Sequence, residues 1–228
     1  MLDLGKRVRG LFVKLPATEI IDLASAAGFD FAVVDLEHSQ LADVEAFRLI
    51  RYGRALGFPT LARIAGADRG LVNRLLEAGA AGIHLSSVRR AAEVAELRAA
   101  SRYAPEGARS ISLAHPAGRY GALPLADYLA EQRRGALVVP QIETATTDDP
   151  LDEIAAAGAD VLFVGPSDLA VDVGLDERRV RARIDEIAAA AEAAGIPLGA
   201  FGLDDPRVRY DAVSADLTLL AKAVRDAA

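Results

Sequence analysis

The sequence contains no cysteine. Disulfides and thiolate–zinc centres are therefore excluded, and a reducing cytoplasm is the expected compartment. Aromatic residues are scarce, at 5%, so Ala, Val, Leu and Ile must fill the interior. Basic residues are in deficit: 26 Lys and Arg stand against 33 Asp and Glu, for a net charge of −7. That balance argues against a nucleic-acid partner, which would require a basic surface to meet phosphates. Basic clusters such as RRVRAR (Arg178–Arg183) alternate with acids and apolar residues and are expected to be solvated helix faces. No run reaches the roughly 18 apolar residues of a membrane span. The opening stretch, MLDLGKRVRGLFVKLP, lacks the apolar segment of a secretory signal. The first turns carry neither G-x-G-x-x-G nor G-K-[ST], so no dinucleotide or P-loop site is implied.

What is present is a large apolar fraction, 52% of 228 residues, enough for one extended core. The pattern alternates short β-branched runs with longer Ala- and Leu-rich segments of helical period. Strands are predicted over 11–15, 31–37, 60–64, 82–86, 136–143, 161–166, 197–201 and 210–215. Helices are predicted over 17–27, 42–56, 69–78, 90–101, 124–134, 150–157, 178–194 and 216–227. The segments AAGFD, EAGAAG, AAGAD and AAGIP each place Gly between an Ala-rich helix and a strand, as a repeated helix-to-strand turn requires. Eight such units without a break in composition predict a single α/β domain over residues 1–228, a (β/α)8 TIM barrel, with a doubly wound open sheet as the alternative. Two places strain this scheme. Residues 104–123 form a long excursion, read as an ordered loop over the site. The segment between the last two strands, residues 202–209, is short for a parallel crossover, which normally takes a dozen residues or more.

In a parallel barrel the chemistry gathers at the C-terminal ends of the strands. Read there alone, the second strand contributes Asp35, Glu37 and His38, the third Arg63, the fifth Gln141 and Glu143, and the sixth the segment GPSDLA with Asp168. Two carboxylates in one mouth suit an oxygen-ligated Mg²⁺ or Mn²⁺; singly, each acid serves equally well as a helix cap. Arg63 has two readings, neutralising an oxyanion or forming a structural ion pair. His38, beside acids at a strand end, is as readily a proton carrier as a structural residue. His84 is expected to be a strand residue with a hydrogen-bond partner, and His115 lies in the long loop. Gly165 lets backbone approach a ligand closely, and the N–H groups of Ser167 and Asp168 are placed to meet a carboxylate.

The segments AAGFDFAVVDLEHSQ, ARIAGADRGLVNRLLEAGAAGI, SRYAPEGARS, VVPQIET and ADVLFVGPSDLA stand in an order and spacing that resembles the metal-dependent, class II pyruvate aldolases. This is the 4-hydroxy-2-oxoheptanedioate and 2-keto-3-deoxy-sugar-acid aldolase family. The resemblance covers about residues 10–175 well and the remainder weakly.

The resemblance implies a barrel of the phosphoenolpyruvate/pyruvate type, acting on a 2-oxo acid and an aldehyde through a pyruvate enolate. It implies a divalent metal ion (Mg²⁺ or Mn²⁺, with Co²⁺ admitted) held by Glu143 and Asp168, and substrate contacts from Arg63, Gln141, Gly165, Ser167 and Asp168. It implies catalytic roles for Arg63, at the enolate oxygen, and for His38, as the base at the 4-hydroxyl directly or through a water. Glu77, in LLEAG where relatives have Asp, would pair with His38. The same enolate serves an oxaloacetate decarboxylase or an acyl-CoA lyase, which is the alternative reading; a binding protein on a decayed scaffold is a further one. Relatives form hexamers with an exchanged C-terminal helix, which implies a homo-oligomer. Departures lie at the rim. HLSSV stands where relatives have Pro after the fourth strand, Ser110 replaces a Gly after Arg109, and the C-terminal third is shortened. These changes imply an altered aldehyde acceptor.

Overall fold

The computed structural model describes residues 2–133 and 135–228. Met1, the first residue of the expected domain, and Arg134, the last of the expected helix 124–134, lie outside the described residues. The chain runs β1 (Val8–Val13), α1 (Glu19–Ala26), β2 (Phe31–Asp35), α2 (Asp43–Ala55), β3 (Thr60–Ile64), α3 (Arg69–Ala78), β4 (Gly82–Leu85) and α4 (Ala91–Ser101). It continues through a 3-10 segment (Pro116–Gly121) to α5 (Leu125–Gln132), β5 (Leu137–Ile142), α6 (Leu151–Ala156), β6 (Leu162–Val164) and α7 (Pro166–Asp172). It ends with α8 (Glu177–Ala193), β7 (Leu198–Phe201), β8 (Val208–Ala215) and α9 (Asp216–Asp226). The eight strands close into a barrel in chain order, with β8 pairing β1, and every pairing is parallel. Closure removes the open-sheet alternative.

Strand alternation sorts the side chains into two layers. Leu11, Val13, Ala32, Val34, Ala62, Ile64, Ile83 and Leu85 join the helices in the outer core. Phe12, Phe31, Val33, Leu61, Val139, Phe163 and Tyr210 fill the barrel interior. The inward parity then carries the polar residues, because Asp35, Arg63 and His84 are register partners across β2, β3 and β4. The strands are buried on both faces, as a parallel sheet covered by helices demands.

The expected helix-to-strand turns form as read. Gly28, Gly79, Gly158 and Gly195 all take positive φ, a backbone conformation that disfavours any residue with a Cβ. Asp68 and Asp176 cap α3 and α8 through their side chains. The helix α7 was not expected; GPSDLA reads as a loop, but Pro166 at the first helical position suits a helix start.

The last strand pair is formed without a helix between Phe201 and Val208. The six intervening residues, fully extended, reach about 20 Å, while four residues of β7 rise only about 13 Å, so the chain can return to the barrel base directly. Residues 104–123 correct an expectation. They pack on the flank of α3 and α5 rather than over the mouth: Arg69 donates to the Ala108 carbonyl, Asn73 to Ser110, and Tyr128 is buried beside Ala117 and Leu123. RRVRAR is also only partly solvated. Arg183 is buried and bonds Glu186 at 2.7 Å and the Thr144 carbonyl at 3.1 Å.

Candidate active site

A cavity of about 270 Å³ opens at the C-terminal mouth of the barrel. Phe12, Phe163 and Phe201 form its apolar wall, and Lys14, His38, Arg63, Gln141, Glu143 and Asp168 face it. The residues expected at four different strand ends are thus brought to one space. Among the described residues no helix is long and apolar enough to cross a membrane.

The β2–β3 corner is an ion-pair network. Arg63 grips Asp35 with two donors, Nε to Oδ1 at 2.9 Å and NH2 to Oδ2 at 2.6 Å. Lys14 Nζ reaches the same carboxylate at 2.5 Å, and the amides of Glu37 and His38 donate to it at 3.1 Å each. Burial pushes the Asp35 carboxyl up, but the hydrogen bonds and charge of Arg63 and Lys14, with the His38 amide, outweigh it and hold the group well below the usual carboxylate range. The Arg63 guanidinium also lies over the Phe12 ring, 4.8 Å from its centroid. Such a fork, fixed by a buried carboxylate and an aromatic face, presents a positive charge that cannot swing away from the cavity.

The β4 end positions two further carboxylates. Ser86 Oγ donates to Glu37 Oε1 at 2.6 Å, and Glu37 Oε2 lies 3.4 Å from Arg63 Nε. Ser87 donates to Glu143 Oε2 from its hydroxyl at 2.8 Å and its amide at 2.9 Å. Ser87 adopts φ 52° to do so, which is uncommon for a residue with a Cβ. Burial pushes the Glu143 carboxyl up; the Ser87 hydroxyl opposes this, and the charges of Glu37 and Asp168 reinforce it.

Glu143 and Asp168 fit a hard divalent ion. Glu143 leans on the backbone of Gly165, where a Cβ would come within 2.6 Å of Oε1, so the absence of a side chain there makes room for the carboxylate. Asp168 stands exposed on the first turn of α7, facing the same cavity. The described residues contain no group of three or more His, Asp or Glu side chains arranged to hold an ion. Two carboxylates suffice for a cation that keeps its other positions for water or substrate oxygens.

Further expectations divide. Gln141 is fully buried, with one end of its amide 2.9 Å from His84 Nδ1, and His84 Nε2 lies 2.8 Å from the Tyr210 hydroxyl. His84 is therefore the bonded strand residue expected. His38 faces the cavity, and within this one chain the acid at ion-pair distance is Glu37, 3.9 Å from Nε2, rather than Glu77. Glu77 accepts instead from Asn73 on its own helix, at 3.2 Å. The reason is topological. Glu77 is near the C-terminal end of α3, and that end leads to the start of β4, opposite the mouth. His115 bonds the Ser112 carbonyl at 2.9 Å and packs on Tyr128, away from the cavity. Ser167 lies on the first turn of α7 and faces the cavity.

Three site residues escaped the sequence reading. Lys14 carried a signal, since it follows Phe12 at inward parity. Ser86 and Ser87 carried little, because their roles depend on a turn with positive φ.

A family model described as HpcH/HpaI aldolase/citrate lyase matches residues 9–209. A 5-keto-4-deoxy-D-glucarate aldolase of Citrobacter koseri is 34% identical over 80% of this chain and 71% of its own. A hydroxypyruvate/pyruvate aldolase of Paraburkholderia phytofirmans is 30% identical over 96% of this chain and 90% of its own. A solved HpcH/HpaI aldolase/citrate lyase family protein of Burkholderia cenocepacia superposes with a TM-score of 0.87 at 27% identity, covering 97% of this chain and 93% of that one.

Proposed function

The chain belongs to the HpcH/HpaI aldolase/citrate lyase family, and we propose that it is a divalent-metal-dependent aldolase that cleaves and forms 4-hydroxy-2-oxo acids through a pyruvate enolate. The observation that carries this reading is the juxtaposition, in one cavity, of a rigidly held guanidinium and two acids with room between them: Arg63 on one side, Glu143 and Asp168 on the other. Mg²⁺ or Mn²⁺ held by Glu143 and Asp168 would supply a positive charge to the carboxylate and ketone oxygens of a 2-oxo acid.

The chain's own residues then divide the work. Arg63 stabilises the negative charge that develops on the C2 oxygen, and because Asp35 fixes it beforehand, little reorganisation accompanies the reaction. His38, at the open side of the cavity, takes the proton of the 4-hydroxyl. The C4–O bond becomes a carbonyl, the C3–C4 bond breaks, and its electron pair forms the C2–C3 double bond of the enolate. A proton delivered to C3 completes pyruvate. Phe12, Phe163 and Phe201 keep that side of the cavity apolar, which strengthens the charge interactions inside it. Gly165 and Ser167 line the opening where the substrate carboxylate would enter. Ser86 and Ser87 hold Glu37 and Glu143 in place.

The test is product analysis with Mg²⁺ and Mn²⁺. A panel of 4-hydroxy-2-oxo acids should release pyruvate only with metal present, and oxaloacetate should lose CO2 more slowly. Preferred CO2 release would make the protein a decarboxylase with the same enolate. A homo-oligomer belongs to this reading as well. Leu217, Leu220 and Val224 form one exposed apolar face of α9, and light scattering of the purified protein should show more than one copy. A cytoplasmic setting suits a chain of this composition.

A further inference from the structure

The cavity wall includes a buried relay that the proposed chemistry does not use directly: Tyr210, His84 and Gln141. All three are fully buried. Tyr210 stacks on Phe31 at 4.3 Å, and His84 packs edge-on to Phe163 at 5.1 Å and to Phe12 at 5.9 Å, so neither ring can turn. Tyr210 OH lies 2.8 Å from His84 Nε2, and His84 Nδ1 lies 2.9 Å from one end of the Gln141 amide. The other end of that amide is buried and without a partner among the described residues, and Gln141 faces the cavity.

Protonation decides which end faces the substrate. Burial, then the charge of Arg63, depresses His84 to about 3, so the ring is neutral and offers one N–H and one lone pair. Burial pushes the Tyr210 phenol well up, so its hydrogen stays on. With Gln141 Nε2 against Nδ1, both would be satisfied only if His84 carried its proton on Nε2. The Tyr210 hydrogen would then have no acceptor, and a buried orphan donor is costly. Turning the amide over moves the unpartnered donor from Tyr210, which does not line the cavity, to Gln141, which does and where a bound oxygen can satisfy it; no heavy atom moves appreciably, because the two ends of the amide have nearly the same shape. Tyr210 then donates to Nε2, Nδ1–H donates to the Gln141 carbonyl, and the Gln141 NH2 is left toward the cavity.

We propose that Tyr210 and His84 are positioning residues that set the Gln141 amide with its NH2 toward the cavity, where it donates a hydrogen bond to an anionic oxygen of the bound 2-oxo acid. The substrate half of this inference rests on the aldolase reading; the relay half does not. His84 stands between β3 and β5 in the barrel interior, and its hydrogen bond toward the cavity runs through Gln141.

Two measurements test it. Long-range ¹H–¹⁵N correlation spectra of the unmodified protein should show the His84 ring protonated on Nδ1; protonation on Nε2 overturns the relay. Tyr210→Phe keeps the packing and removes the hydroxyl. It should raise the pyruvate KM for methyl-proton exchange about tenfold, the loss of an oriented bond to a charged group, with a smaller change in kcat. Adding His84→Asn should recover most of that loss, because an Asn amide offers an N–H where Nδ1 stood and needs no hydroxyl behind it. An unchanged KM in Tyr210→Phe, or no recovery in the double variant, overturns the inference. Absence of exchange in the unmodified protein overturns the aldolase reading and the substrate role of Gln141, while the ring spectrum still decides the relay.

Discussion

Arg63 and Lys14 share one buried carboxylate, and that sharing governs the site's electrostatics. Asp35 is fully buried, while Arg63 and Lys14 side chains are 11% and 19% exposed. Asp35→Asn would leave Arg63 with Glu37 alone and Lys14 with only the His38 carbonyl. Removing one partner of a buried pair costs about 3–5 kcal/mol, and urea unfolding at neutral pH should show a loss of that size. His84 makes a second residue-level prediction, about pH. Its folded value, about 3, lies below the ordinary 6.5. The unfolded chain therefore binds the proton first, and stability is lost as pH falls below 6.5. The slope is about 1.4 kcal/mol per unit, so between pH 6.5 and 4.5 the unmodified protein should lose roughly 2–3 kcal/mol more than His84→Asn. Asp35 does not blur this comparison, because its depressed value costs stability only below the ordinary 3.8. The depth of the Asp35–Arg63 contact was only partly legible in the sequence. Inward parity put both residues at strand ends, but the bidentate geometry depends on Asp35 and Arg63 being register partners, which a linear pattern does not specify.

At the scale of elements, the strand-to-helix turns hold the chemistry. Glu143 and Gly165 come from neighbouring strand ends, and the missing Cβ of Gly165 sets where the carboxylate rests. In Gly165→Ala the new methyl would stand 2.5 Å from Glu143 Cγ, so Glu143 must shift. Overpacking of this kind costs about 1–3 kcal/mol. The larger effect should be on Mn²⁺ affinity by calorimetry, expected to fall about tenfold or more as the ligand leaves its place. Most of the units were readable because helix period and β-branched run alternate, and four of them add a terminal Gly between helix and strand. The last was hard to read because β7 and β8 are joined by six residues with no helical pattern, and only the reach of an extended chain makes that join feasible. Helix polarity explains why Glu77 does not meet His38 within one chain. Its sequence context matches a motif, yet it lies near the α3 end that faces away from the mouth.

The whole molecule places one positive fork and two acids at the open end of a closed barrel, within a fold shared along nearly the full chain with HpcH/HpaI family structures. The end of β1 is tied to α9 by Asp216, which accepts from the Lys14 and Leu15 amides at 2.9 and 3.0 Å, so the last helix is coupled to the strand that carries Phe12 and leads into Lys14. The central claim is that this mouth stabilises a pyruvate enolate. Deuterium exchange into the methyl group of pyruvate reads that step without any knowledge of the aldehyde. The account predicts exchange that needs Mg²⁺ or Mn²⁺ and is lost at least a hundredfold in Glu143→Gln, a loss of about 2.7 kcal/mol in transition-state stabilisation. Exchange at the same rate in Glu143→Gln, or none in the metal-loaded unmodified protein, would contradict it.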